Sequence, residues 1–205
     1  MTGNELERLT KALQSDPKMV KAIERLDKGT GTYKDVNAMA IFLGRRIAEE
    51  MGIDFSEEAL TNYLAAGHEV IVDKAVTAQE NLNKKAGIGL KPKTTKTPNA
   101  KIAAAVATVK AAKPEAVASI CDTALPSLML EMVDDIQRYN ADFQRDAGLH
   151  PIIRRVWSGS YPSHDTKHTD NCETLAGEWK YGEEPRETYM RHEGCRCTIE
   201  IVSSK

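Results

Sequence analysis

Residues 192–198, HEGCRCT, bring together side chains that bind metal ions. They hold two of the chain's four cysteines and one of its five histidines. Side chains two apart in an extended strand point to the same side, so Cys195 and Cys197 can approach one ion if the strand bends there. His192 lies three residues before Cys195, and Gly194 gives the backbone freedom to turn. This pattern predicts three ligands of a zinc ion.

A fourth ligand must come from another part of the chain. Cys172 is the first candidate, His168 and Asp170 are the second, and His164 is the third. Four such ligands closed around the ion describe a structural zinc site without an open position for a substrate water. Thiols held in a core without metal remain an alternative, as does a catalytic metal centre.

A hydrolytic function is the main enzymatic alternative. Groups that could activate water at an open metal position are His164, Asp165, His168, Asp170 and His192. A dyad of Cys172 and His192 is also conceivable. The sequence nevertheless contains no HExxH motif, nucleophile elbow or Gly-rich phosphate loop. We therefore expect a protein that is not an enzyme, with a metal-dependent hydrolase or nuclease as the alternative.

A second chemistry, contact with phosphate, is suggested by eight lysines between Asn81 and Pro114, a stretch without Asp or Glu. The candidates for a surface facing nucleic acid are Lys84, Lys85, Lys91, Lys93, Lys96 and Lys101. Lysines neutralise phosphate without reading sequence, so non-specific DNA binding is the function they allow. The stretch has no aromatic residue for base stacking, so specific single-strand binding is not expected. A solvated linker is the alternative.

Helices are predicted for most of the chain before residue 149. A stripe at spacings of three and four predicts a helix that stops at Gly52: Val36, Met39, Leu43, Ile47 and Met51. Ser56 can cap a second helix that continues to Gly87, with His68 inside it as a surface or packing residue. Pro114 and Pro126 can each begin a further helix.

The helix predicted from Pro126 to Gly148 has two faces. Its apolar stripe is Leu128, Met132, Ile136, Tyr139 and Phe143, and its expected solvent face carries Asp134, Asp135 and Asp142. After Gly148 the pattern changes to short strands in RRVWSGSYP, GEWKYG and CRCTIEIVS. The predicted fold is therefore mostly α, with a helical body at 1–148, its lysine-rich linker at 84–101, and a small α+β module at 149–205 that a zinc ion could hold together.

The composition indicates a soluble protein that folds in a reducing compartment. Of 205 residues, 41% are hydrophobic and 28% are charged, with a net charge of −2. No run is expected to reach the roughly 18 apolar residues of a membrane span, and the polar start lacks a signal-peptide pattern. Cys121, alone in an apolar stretch, is expected to be a buried core residue. A cytoplasmic protein, or one assembled in the cytoplasm, is therefore expected.

The order of motifs from Arg154 to Val202, about a quarter of the chain, resembles a known family. Trp157 is followed by D-x-C-E-x-L-A-G at residues 170–177, and then by H-x-x-C-x-C-T at 192–198. This order is similar to the C-terminal domain of phage head morphogenesis proteins, the Mu F-type minor capsid proteins. Two positions depart from the family pattern, since Glu193 replaces a usual proline and Thr169 stands where many relatives have a cysteine. The second departure favours His168 or His192 as ligands.

The resemblance implies a low-copy structural protein inside the phage head, assembled in the host cytoplasm. Its partners would be portal or capsid proteins, with packaged DNA as a further contact, and no membrane. It implies packing and turning roles for Trp157, Leu175 and Gly177. It implies positions around the zinc ion for Asp170, Cys172, His192, Cys195 and Cys197. A cellular, non-specific DNA-binding accessory protein is the remaining alternative.

Overall fold

The computed structural model describes residues 3–53, 56–157, 172–189 and 197–204. Within these ranges six helices precede a small antiparallel sheet, which confirms the mostly α fold class. The helices are α1 Gly3–Ser15, α2 Pro17–Asp27, α3 Tyr33–Ile53, α4 Glu57–Lys85, α5 Asn99–Lys110 and α6 Pro114–Asp146. The strands are β1 His150–Val156, β2 Gly177–Lys180 and β3 Thr198–Ser204, with a short 3-10 helix at Arg186–Tyr189.

The ends of α4 follow from local chemistry. The Ser56 side chain accepts a hydrogen bond from the Ala59 backbone N–H at 3.0 Å, as the sequence predicts for an N-cap. Glu57 and Glu58 lie in the first turn, where their charge suits the positive end of the helix dipole. Gly87 ends the helix with a φ of 66°, in the left-handed region that glycine adopts without strain.

The predicted apolar stripe of α3 is confirmed, because every member is buried: Val36, Met39, Leu43, Ile47 and Met51. Helix α3 contacts both α4 and α6. The main hydrophobic core includes these residues together with side chains of all six helices. Burial of a continuous stripe stabilises the helix against its partners far more than intrinsic propensity does.

Helix α6 is continuous from Pro114 to Asp146, so the prediction that Pro126 begins a separate helix is wrong. A proline inside a helix removes one backbone hydrogen bond, a loss that tertiary packing must offset. Here the packing is with Gly44 of α3, whose missing side chain lets the two backbones meet. A Cβ atom at Gly44 would lie 2.5 Å from the Cα of Pro126. The crossing of α3 and α6 therefore depends on this glycine.

The predicted faces of α6 are only partly right. Met132 and Ile136 are buried as expected, but Tyr139 has 49% of its surface exposed. The prediction that Asp134 lies on the solvent face is wrong, since only 4% of its surface is exposed. Helix α6 packs against α3 on one side and against β1 and β3 on another, so it has less free surface than a one-sided helix.

Length and composition alone would allow α6 to cross a membrane, contrary to the sequence expectation that no segment would. An 18-residue window of the helix has a mean hydropathy of 1.4, and 33% of that window is buried. One such helix is weak evidence for a membrane span, because a core helix of a soluble protein passes the same test.

The sheet has the strand order β2-β1-β3, and both pairings are antiparallel. At its centre, Ile153 of β1 stands opposite Trp179 of β2 and Ile201 of β3. Ile153, Ile199 and Ile201 are buried and form a small core with Ala141 of α6. The second and third strands predicted after Gly148 overlap β2 and β3, but the first was predicted to begin at Arg154, whereas β1 begins four residues earlier, at His150. The apolar face of the sheet lies on α6.

The Gln137 side chain fastens the sheet to α6. Its Nε2 donates to the Ile199 carbonyl at 2.6 Å, and its Oε1 accepts from the Ile201 N–H at 3.1 Å. Gln137 is fully buried, so these bonds satisfy backbone groups of β3 that water does not reach. These two hydrogen bonds fix the position of the N-terminal part of β3. They therefore also fix the position of Cys197, the residue directly before the strand.

Candidate functional site

Cys172, Cys197 and Trp157 form one cluster, here named the thiol cluster. Trp157 directly follows β1, and Cys197 directly precedes β3. Because β1 and β3 are antiparallel, with Val156 opposite Thr198, the end of one strand meets the start of the other. Cys172 lies shortly before β2, which starts at the same end of β1. The strand order therefore brings three distant motif residues together.

Both cysteines of the thiol cluster are present as buried thiols, with 3% of Cys172 and 1% of Cys197 exposed. Cys121 is also a buried thiol, but it lies in the main core on α6, as the sequence predicts. Burial raises the pKa of the Cys121 thiol, which keeps it neutral and suits a packing role.

Arg155 of β1 joins the thiol cluster through a hydrogen bond that the sequence analysis missed. Its Nη2 donates to the Cys172 Sγ at 3.5 Å, and its Nη1 donates to the carbonyls of Thr188 at 2.7 Å and Glu187 at 3.2 Å. Only 2% of the Arg155 surface is exposed. The Arg155 guanidinium therefore places a positive charge beside the Cys172 sulfur.

The inward position of Arg155 is a feature that only the structure shows. In β1 the buried positions alternate with exposed ones, and Arg155 has the same parity as Pro151 and Ile153. A charged residue at an inward position of a strand needs a partner there, because burying a charge alone is costly. Because Ile152 and Val156 are apolar and have the opposite parity, the sequence alone does not predict that Arg155 faces inward.

The thiol cluster brings together two of the four donors predicted for a zinc ion. Cys172 and Cys197 would supply two thiolates, and the other predicted ligands, Cys195 and His192, lie outside the described residues. Three thiolates and one neutral histidine around a divalent ion leave one net negative charge, which the Arg155 guanidinium would balance. In the described part of the chain, no three His, Cys, Asp or Glu side chains are close enough to share an ion.

The alternate ligands His164, His168 and Asp170 also lie outside the described residues, so they stay predictions. Of the motif residues assigned to packing, Leu175 is partly buried in the turn before β2, and Gly177 is the first residue of that strand. Trp157, the third, packs directly on the two thiols.

Residues 86–98, here named the lysine strap, have no helix or strand and lie on α4 and α6. Asn83 donates to the Leu90 carbonyl at 2.7 Å. The Asn140 side chain accepts from the Lys93 N–H at 2.7 Å and donates to the Lys93 carbonyl at 3.0 Å. Near the far end of the strap, Thr95 Oγ1 is 3.4 Å from His68 Nε2. The strap is therefore anchored at three points along its backbone or side chains.

The six lysines proposed to face nucleic acid have different surroundings. Lys101 forms ion pairs with Asp135 at 2.5 Å and with Glu131 at 4.0 Å. Lys93 places its Nζ 4.7 Å from the centre of the Phe143 ring. The others are exposed and form no ion pair with a described residue: Lys84, Lys85, Lys91 and Lys96. Neutralisation of Lys101 makes it the weakest phosphate-binding candidate.

His68, which lies next to Thr95 of the strap, is a buried group whose protonation should affect the stability of the fold. Burial lowers its pKa, and the nearby charge of Asp135 opposes that shift. In the unfolded chain the imidazole takes up a proton near pH 6.5, whereas the folded protein resists protonation until lower pH. The contribution of neutral His68 to the free energy of unfolding is therefore fully present above pH 6.5. It is lost progressively as the pH falls from 6.5 to the pKa of His68 in the folded protein.

We expect the free energy of unfolding to decrease below pH 6.5, by at most about 1.4 kcal/mol per pH unit from this group. Urea unfolding at several pH values would measure the slope. A His68→Gln variant should have a shallower slope between pH 7 and pH 5, because its side chain does not titrate. An identical slope in the two proteins would assign the pH dependence to other groups.

A cavity of about 660 Å³ lies between α1, α3 and α4 and contains none of the residues predicted to form a site. Its lining combines apolar side chains with charged ones: Arg8, Leu9, Lys11, Ala12, Ser15, Asp16, Pro17, Phe42, Arg45, Arg46, Glu49, Glu50 and Tyr63. Arg8 donates to the Tyr63 hydroxyl at 3.1 Å, and Arg46 pairs with both Glu49 and Glu50. The Arg8–Tyr63 hydrogen bond joins α1 to α4, whereas both ion pairs of Arg46 lie within α3.

No family model, curated protein or solved structure matches this chain. The likeness to phage head morphogenesis proteins therefore rests on the motif residues between Arg154 and Val202. Function has to be argued from those residues and from the contacts that the fold gives them.

Proposed function

We propose that this protein is a non-enzymatic structural component of a phage head. It would be a minor capsid or head morphogenesis protein that associates with the portal and takes part in head assembly, genome packaging or genome delivery. The observation that supports this proposal is the thiol cluster. Trp157, Cys172 and Cys197 carry the family resemblance, come from three separate segments, and pack together in one buried group.

Burial of the thiols favours a structural role over a catalytic one. A catalytic zinc needs an open position for water or substrate, whereas a structural zinc is closed on all sides. The two described sulfur donors are almost fully shielded from solvent, and Arg155 is buried beside them. A zinc ion held there would tie the segments around β1, β2 and β3 into a rigid module.

The helical body offers the surfaces that a head protein needs for its partners. Portal or capsid proteins would contact the helices, and packaged DNA would meet the exposed lysines near the strap. Those lysines neutralise phosphate without sequence preference, as contact with a densely packed genome requires.

The test is retention of the protein by the portal ring of the phage that encodes it. The two proteins would be produced together, and the ring would be isolated by size. We expect the full chain to travel with the ring, and a Cys172→Ser variant to be lost from it because its C-terminal module is no longer held together. A Cys121→Ala variant removes a thiol from the main core and should still be retained.

Two results would contradict the proposal. If the wild-type chain were absent from both the portal ring and purified virions, the protein would not be a structural component of the phage head. Zinc-dependent cleavage of DNA by the purified chain, abolished by Cys172→Ser, would instead favour the metal-dependent nuclease.

A further inference from the structure

Tyr139 presents an aromatic ring to solvent in the C-terminal half of α6. It is one of two large hydrophobic side chains that are exposed among the described residues, with 49% of its surface accessible. Phe143 lies four positions later, so the two rings share a face of the helix with Cβ atoms about 5–6 Å apart. Lys93 covers the second ring, with its Nζ 4.7 Å from the ring centre.

The lysine strap passes directly beside this face. Asn140, the residue after Tyr139, holds both backbone groups of Lys93. Farther along the chain, Lys101 reaches Asp135 of α6. The strap and the start of α5 therefore run antiparallel to α6, and Lys96 falls between these two attachment points. The fold thus places Lys93 over the Phe143 ring, which is far away in the sequence, and brings the strap along the helix that carries Tyr139.

The charges of this face are mixed. Lys101 pairs with both Asp135 and Glu131, and Asp142 pairs with Arg145 at 2.9 Å. Asp146 lies on the same helical face as Tyr139 and forms no ion pair with a described residue. Four carboxylates therefore stand against Lys101, Arg145 and the three exposed strap lysines, which leaves a small positive excess. Those strap lysines are Lys91, Lys93 and Lys96.

We propose that Tyr139, Phe143 and these three lysines form a binding surface for single-stranded nucleic acid. A base would stack on the Tyr139 ring, and the phosphates would lie along the strap lysines. Stacking requires an unpaired base, which a duplex does not offer, and an exposed ring beside cations is how proteins bind single strands without reading sequence. Because the strap backbone is anchored, its lysines start from defined backbone positions before the ligand arrives. The inference does not depend on a role in the virion.

The test is binding of the full chain to a fluorescent oligothymidine of about 20 nucleotides, followed by fluorescence anisotropy. We expect Tyr139→Ala to weaken binding about five-fold or more, since stacking on the ring is lost. Tyr139→Phe keeps the aromatic face and should bind within about two-fold of the parent. Tyr139 is exposed, so thermal melts of both variants should match the parent and exclude a folding defect.

The contribution of charge is tested with two triple variants that remove the same number of charges. Replacing Lys91, Lys93 and Lys96 with glutamine should weaken binding and lower the slope of log affinity against log salt by about 2, at roughly 0.7 per phosphate contact. The control variant replaces Lys11, Lys18 and Lys21, which are exposed on α1 and α2, and should bind like the parent. Asp146→Asn should strengthen binding, because it removes a carboxylate on this face.

Three results would overturn the proposal. Equal affinity of Tyr139→Ala and the parent for oligothymidine would show that no base stacks on this ring. Binding of duplex DNA as tight as that of the single strand would reduce the face to a general phosphate contact. Equal weakening by both lysine triples would indicate a response to net charge alone. None of these measurements depends on portal association, so the failure of either proposal can be told apart from the failure of the other.

Discussion

A Cys172→Ser variant is expected to contain no zinc, whereas the parent protein should carry one zinc ion per chain. A serine hydroxyl is a far weaker zinc ligand than a thiolate, and a structural zinc contributes on the order of 10 kcal/mol or more when it binds. The sheet core around Ile153 is small, so the C-terminal module should lose its fixed structure with the metal. The six helices should remain, because their core is separate and larger.

Elemental analysis would measure the zinc content of each protein. Tryptophan fluorescence would measure whether the C-terminal module is folded. Both tryptophans of the chain, Trp157 and Trp179, lie in or next to the sheet, so their emission reports on this region alone. Far-ultraviolet circular dichroism would follow the helices. The double variant Cys195→Ser with Cys197→Ser should behave like Cys172→Ser, and Cys121→Ala should keep its zinc.

Two findings would contradict the zinc site. Parent protein without metal would leave a thiol core packed on Trp157 and supported by Arg155. Zinc retained in both the Cys172→Ser and the double variant would place the ion elsewhere in the chain.

A Gly44→Ala variant is expected to lose about 2 kcal/mol of unfolding free energy. The added Cβ would lie 2.5 Å from the Cα and 2.6 Å from the N of Pro126. Both are backbone atoms of a packed helix, so α3 and α6 must move apart. Overpacking of this kind costs about 3 kcal/mol, and the better helix propensity of alanine offsets about 1 kcal/mol of that cost.

Gly52→Ala provides the matched control in the same helix. A Cβ at Gly52 would have its nearest neighbour, the Cβ of Ala118, at 4.0 Å, which is ordinary contact. The free energy of unfolding of this variant should be unchanged or higher by up to about 1 kcal/mol, because the only change is the higher helix propensity of alanine. Urea unfolding followed by circular dichroism would compare the two. If Gly44→Ala were as stable as Gly52→Ala, the close approach of α3 to α6 would have no energetic importance.

The sequence by itself determined those features that depend on near neighbours in the chain. Ser56 caps α4 because its side chain reaches an N–H three residues ahead. The stripe from Val36 to Met51 is buried because helical spacing puts it on one face. Alternation and turn residues located β2 and β3, but they placed the first strand too far along the chain. Residue type alone identified Cys172 and Cys197 as candidate metal ligands. That the two side chains pack together in space depends on the strand order of the sheet.

Only the tertiary structure decided what lies opposite each residue. Pro126 is inside a helix because Gly44 makes room for it, and Asp134 is buried because α6 has partners on two sides. Tyr139 is exposed although it follows the spacing of the core. The spacing of residues along one helix specifies a face, but which faces are covered depends on segments far away in the sequence. For the same reason, the contacts of Arg155 with Cys172 and of Lys93 with Phe143 arise only when strands, strap and helix pack together.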